Sequence, residues 1–206
     1  MTTDWNEFIE SLEGPDREWV NSVNLTALEK LKGDERERAI QLLLSKLNVG
    51  WPKVSRALGV LPDPRVRTAL EAHLSVAQRS DKVATANSLL KLSPGHPAAI
   101  KAVKEGLASP DILVSDEALE AAEVAGKPIV GALLATGVMH PSPITRIGAI
   151  KAALSITGVN PSSRSWDHRD EIVGLARGDR DTRRASFVKL AQLMGLDLNT
   201  YVGPRP

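Results

Sequence analysis

The stretch with the most chemistry in it is Trp166-Asp167-His168-Arg169-Asp170, which gathers an indole, an imidazole, a guanidinium and two carboxylates. An acid beside a histidine can hold the imidazole as a general base, so the run is a candidate for proton transfer. The same residues suit a helix start, with Trp166 packing in the first turn and Asp167 complementing the helix dipole. That structural account needs nothing further, and it is preferred. The other histidines, His73, His96 and His140, never fall three or four residues from another histidine, so no single helix face offers a metal pair. His73, beside Leu74, reads as a packed, hydrogen-bonded residue. The absence of cysteine removes thiolate ligands, a thiol nucleophile and a disulfide framework together. No Gly-x-Ser-x-Gly occurs, and Gly126-Lys127-Pro128 lacks the strand and the spaced glycine of a phosphate loop. Asp116, Glu117, Glu120 and Glu123 lie among alanines, with no apolar pocket to raise a carboxyl pKa. The chain is therefore read as a non-enzyme with no cofactor and no metal.

The elements that would position these side chains are helices. With 3% aromatic residues, a core must be built from Ala, Leu, Val and Ile, which suits closely spaced helices better than a β-sandwich. Hydrophobic residues at 42% and charged ones at 25% match a globular chain rather than a disordered one. No uncharged apolar run reaches membrane-spanning length, and the start is polar and acidic where a secretory signal would be basic and apolar. The expected setting is the cytoplasm, with no membrane partner.

Helix signals run the length of the sequence, and strand alternation is almost absent. Thr3 or Asp4 caps a first helix to Leu12; Gly14 stops it, and Pro15 opens another ahead of Trp19 and Val20. Asn24 or Thr26 opens a short helix, and Asp34 caps a longer one whose Ala39, Ile40, Leu43, Leu44 and Leu47 share a face. Pro52 starts the next. Further helices are predicted over 63–77, 80–92, 96–108, 111–124, 127–137, 142–157, 166–177 and 179–194, with Gly or Pro at nearly every junction. A helix-opening signature recurs: Pro62-Asp63-Pro64 leads to Ala69-Leu70, Pro110-Asp111 to Ala118-Leu119, Ser142-Pro143 to Ala149-Ile150, and more weakly Asp179 to Ala185. Taking Ala39, Ala69, Ala86, Ala118, Ala149 and Ala185 as equivalent gives intervals of 30, 17, 32, 31 and 36. Spacing near thirty marks a two-helix repeat. The 17 is a phase slip, and the 36 is stretched by a polar insertion over 158–165.

These residues resemble the HEAT or HEAT-like (armadillo-type) helical repeats, best over 80–158, more weakly over 34–74 and 166–194, and not at all over the first 23 residues. Thr85, Asn87 and Gly148 depart from the repeat pattern. The resemblance implies an all-α fold, an α-solenoid of about five to six stacked antiparallel helix pairs, with a concave face formed by second helices and a role in binding. The expected organisation is one domain over 1–200, comprising an N-terminal cap (1–23), repeats (24–157), an inserted loop (158–165) and a last repeat (166–196), followed by a tail (201–206).

The net charge of +1 conceals an asymmetry: residues 1–37 carry a net −6 and residues 38–103 a net +7. Nucleic-acid binders usually show an overall basic excess, which is missing here. Some HEAT-like proteins are DNA glycosylases, and Arg65, Arg67, Lys82, Lys101 and Lys104 would supply a basic stripe, but the four carboxylates from Asp116 to Glu123 interrupt it. Nucleic acid is thus the alternative partner. The leading one is another protein, met by side chains of both signs: Glu117, Glu120, Arg146, Lys151, Arg183 and Arg184 from second helices, and Trp166 at the inserted loop. Within that class, the sharper expectation is a bacterial immunity or inhibitor protein that neutralises a toxin or effector; a generic adaptor is its neighbour.

Overall fold

A computed structural model of the chain describes residues 2–14 and 23–197. The expected helix around Trp19 and the tail at 201–206 lie outside these residues. Among the described residues every regular element is helical. The α-helices are α1 (Thr3–Glu13), α2 (Leu25–Lys30), α3 (Gly33–Lys46), α4 (Pro52–Leu58), α5 (Pro64–Leu74), α6 (Arg79–Leu92), α7 (Pro97–Leu107), α8 (Ile112–Ala125), α9 (Val130–Met139), α10 (Pro143–Ile156), α11 (Arg169–Arg177) and α12 (Arg180–Leu193). Short 3₁₀ turns, Leu47–Val49 and Lys127–Ile129, follow α3 and precede α9. The chain divides into two compact units, Met1–Ala99 and Ile100–Pro206, the division falling within α7.

The capping residues explain most helix starts. Asn24, Asp63, Asp111, Ser142 and Asp179 each accept a backbone N–H of the first turn, and Pro52, Pro64 and Pro143 occupy a first-turn position where no amide is needed. The first helix is capped one residue earlier than expected: Thr2 Oγ1 accepts the Trp5 amide at 3.2 Å. Thr2 has a second attachment, since its amide and hydroxyl both donate to Glu35 of α3 at 2.7 Å.

In the first unit α6 packs on α4 and α5, and α3 also touches both. Residues Val83 through Leu90 of α6 are all buried, so this helix is enclosed on every side. That explains Thr85 and Asn87, which depart from a repeat pattern having one solvent face. Gly59, just after α4, lets the two helices approach: a Cβ there would stand 2.6 Å from Ser88 Oγ and 2.9 Å from Ser88 Cα. On α3 and the 3₁₀ turn after it the expected face holds, with Ala39, Ile40, Leu43 and Leu47 buried and Leu44 half-buried.

A buried polar network ties α4, α5 and α6 together. His73 Nε2 meets Asp81 Oδ2 at 2.7 Å, Ser55 Oγ donates to Asp81 Oδ1 at 3.0 Å, and Ser55 and Thr85 share a hydroxyl contact at 3.0 Å. His73 is thus packed and hydrogen-bonded, as its place beside Leu74 suggests. Ser, His and Asp are present but wrongly wired for nucleophilic catalysis, because Ser55 bonds the carboxylate and not the imidazole.

In the second unit α10 packs on α8, α9 and α11, and α11 packs on α9 and α12. Its core is aliphatic, with Ala118, Ala122, Leu133, Leu134, Ile150, Ala153, Leu175 and Leu190 all buried. The α11–α12 crossing is made by small residues: a Cβ on Gly174 would overlap Ser186 Oγ, and one on Gly178 would meet Thr182 Cγ2 at 2.7 Å. Two expectations are corrected here. Ala185, expected as the last buried small position, is exposed, and Ser186, Phe187 and Leu190 face inward instead. Helix α11 begins at Arg169 rather than Trp166, with His168 ahead of it in the left-handed region at φ 61°.

Candidate functional site

The candidate residues all belong to the second unit, and the structure sorts them into two neighbourhoods. The first surrounds Trp166. The segment before α11 is fixed by local bonds: Ser165 Oγ donates to Asp167 Oδ2 at 2.7 Å while accepting the Asp167 amide at 3.0 Å, and buried Asn160 donates to the Asp167 carbonyl at 3.4 Å. These bonds present Trp166 at the surface with 51% of it exposed. Lys151, from α10, sets its ammonium 4.1 Å from the indole centroid, within cation–π range, and reaches the Arg164 carbonyl at 3.4 Å. A groove of about 350 Å³ lies alongside, between Leu119, Glu120 and Glu123 of α8, Gly148 and Ala152 of α10, and Ser163 and Arg164 of the insertion. Ser163 Oγ donates to Glu123, pinning the insertion onto α8. At Gly148, which departs from the repeat pattern, a Cβ would sit 2.8 Å from Leu119 Cδ1, so a larger residue there would displace the end of that leucine side chain.

The second neighbourhood surrounds the C-terminal turn of α9. Arg183 of α12 donates through Nη2 to the Val138 carbonyl, one of the carbonyls left open at that helix end. Arg146, from the first turns of α10, lies near enough that the positive charge of Arg183 acts on it. Burial pushes the Arg146 guanidinium below its usual pKa, and the Arg183 charge lowers it further. The Nε atoms of both arginines are shut off from water without a hydrogen-bond partner. Next to this turn, His140 Nδ1 accepts the Ser142 amide at 3.1 Å, so Nε2 carries the proton and donates to the Ser109 carbonyl at 2.9 Å. The imidazole therefore clamps the loop before α8 to the loop before α10.

Of the seven residues expected to meet a partner, Lys151 and Trp166 form one pair, Arg146 and Arg183 another, and Glu120 lines the groove. Arg184 is exposed on α12. Glu117 is only 5% exposed and engaged within the protein, so it is no surface contact. The sequence reading missed Arg164, Ser163 and Val138, whose roles depend on backbone carbonyls and on the folded insertion. No group of His, Asp and Glu suited to hold a metal ion occurs among the described residues, and none of their helices is long and apolar enough to cross a membrane. Comparison with known protein families, with curated proteins and with solved structures finds no match to this chain.

Proposed function

We propose that this chain is a protein-binding module, its helix pairs stacked in a HEAT-like α-solenoid, and most specifically a bacterial immunity or inhibitor protein that holds a toxin or effector by direct contact in the cytoplasm. The observation that carries the reading is the Lys151–Trp166 pair, joined through the Arg164 carbonyl to a groove lined by Glu120, Glu123 and Arg164. A half-exposed indole fixed by a neighbouring cation offers a large contact area at little entropic cost, as the dominant residues of protein interfaces do. Charges of both signs around it select a partner with the complementary pattern and exclude others.

The test is co-expression with the protein encoded beside it in the genome, followed by size-exclusion chromatography and a growth assay. A stoichiometric complex that relieves toxicity, and that weakens at least tenfold in Trp166→Ala, supports the proposal. A neighbour that neither binds nor is neutralised overturns the inhibitor reading, and a complex indifferent to Trp166→Ala and Lys151→Glu overturns the site. A glycosylase-like DNA binder is the second reading, favoured by Arg146 and Arg183 at the end of α9 and opposed by exposed Asp116, Glu120 and Glu123. Affinity for duplex DNA that falls steeply with salt would establish it; no binding at low salt would remove it.

A further inference from the structure

The cost of the arginine pair demands an explanation. Both arginines come to the last turn of α9, where Arg183 bonds the Val138 carbonyl and the Arg146 main chain lies against Gly137, and both Nε atoms are sealed from water and unbonded, which costs the free protein stability. Elsewhere the chain answers such charge: Arg65 is paired with Glu37 and Asp63, and Lys189 with Glu171. Here no carboxylate of the described residues forms an ion pair with either arginine, and the one acceptor is a carbonyl, Val138, which brings only a partial negative charge. Both residues keep part of their surface in water, so their guanidiniums are neither core packing nor free-swinging surface charges.

We infer that Arg146 and Arg183 form a receptor for a single carboxylate, supplied by an aspartate, a glutamate or a chain end of a bound protein. The arginines are held from two sides: the Val138 carbonyl fixes Arg183, and the Arg146 backbone lies against Gly137 in the same turn, its carbonyl oxygen 3.7 Å from where a Gly137 Cβ would stand. A planar carboxylate matches a guanidinium fork with two parallel hydrogen bonds, and one negative charge shared between two arginines removes their repulsion as it binds. The neighbouring surface also offers apolar area to a protein ligand, since Met139, next to Val138, is 67% exposed and Ile144, in the first turn of α10, is 74% exposed. Polyphosphate is disfavoured by the exposed carboxylates Asp116 and Glu120 on α8, which packs against α10.

The inference rests on the protein-binding reading only for the source of the carboxylate, and it is tested on the full chain with sodium glutarate, inorganic phosphate and sodium chloride at matched ionic strength. Glutarate is expected to raise the melting temperature by about 3 °C more than chloride when present well above its Kd. Arg146→Met is expected to melt no lower than the wild type, because a repelled charge is gone, and to lose the glutarate response. Arg183→Lys, which keeps the charge but not the fork, is expected to bind glutarate about tenfold more weakly. A wild-type response to glutarate no greater than that to chloride overturns the site, as does a full response retained by both variants. A phosphate response exceeding the glutarate response overturns the assignment to carboxylate. A partner complex that survives Arg146→Met and Arg183→Lys unchanged sinks this receptor while leaving the Trp166 reading intact, whereas failure of every partner assay alongside a clear glutarate response does the reverse.

Discussion

Arg65 holds two carboxylates at once, gripping Glu37 of α3 through Nη1 and Nη2 at 2.7 and 2.8 Å and Asp63 through Nε and Nη2 at 3.1 and 2.8 Å. Hydrogen bonds from Arg65 lower Glu37 from 4.5 to about 2 and Asp63 from 3.8 to about 2. Both pKa values are depressed on folding, so their contribution is complete above about pH 5, shrinks as the pH falls below the unfolded values and is lost as it falls through the folded values near 2. Arg65→Gln is accordingly expected to lower the melting temperature at pH 6 and to have a much smaller effect at pH 2. Because these groups are exposed, 0.5 M salt should shrink the pH 6 difference; a difference unchanged by salt or by acid would show that packing of the arginine stem dominates. Asp81 is the opposite case, a buried carboxylate holding His73 and Ser55. Asp81→Ala strands His73 and leaves Ser55 only the Thr85 hydroxyl, and should cost about 3 kcal/mol in urea unfolding; a loss under 1 kcal/mol would mean that the network relaxes onto water. The burial of His73 was legible from its apolar neighbour. Its bond to Asp81 was not, because the two lie on separate helices, α5 and α6.

At the scale of the element, most helix starts were readable because capping is local chemistry. Asp63, Asp111 and Asp179 each sit directly before their helices and bond within the next three residues. The start of α11 was misread for an equally local reason: Asp167 suits a first turn, but Ser165 takes both its carboxylate and its amide into a turn of its own. Ala185 was misjudged because the α11–α12 crossing is set by Gly174 and Gly178 against Ser186 and Thr182, which rotates the buried stripe of α12 by one residue. Close approach of backbones also governs α4 and α6. Gly59→Ala would drive a methyl group into the main chain of Ser88, and the strain should cost about 1–3 kcal/mol in equilibrium unfolding. Ser88→Gly should recover part of that loss, because it removes the crowded side chain but leaves the main chain of α6 where it stands. A neutral Gly59→Ala would show that the helices separate freely.

At the scale of the whole molecule, the all-helical character followed from aliphatic composition and from punctuation by Gly and Pro. The expected interface residues were named one at a time. Their pairing across a folded insertion, Lys151 with Trp166, and across an interval of 37 residues, Arg146 with Arg183, depends on tertiary packing that periodicity does not encode. Charge reversal at the exposed members, Glu120→Lys with Arg184→Glu, is expected to weaken partner binding while moving the melting temperature by less than about 2 °C, since exposed charges contribute little to stability. A larger loss of stability would reassign them to the fold. The Lys151–Trp166 pair has an optical consequence as well. The chain has four tryptophans, and Trp5, Trp19 and Trp51 all precede residue 100, so the tryptophan emission of Ile100–Pro206 comes from Trp166 alone. With the other three replaced by phenylalanine, one indole beside one ammonium becomes a built-in fluorophore at the groove. A ligand that displaces the lysine or covers the ring would then announce its arrival as a change in colour and brightness, without any attached label.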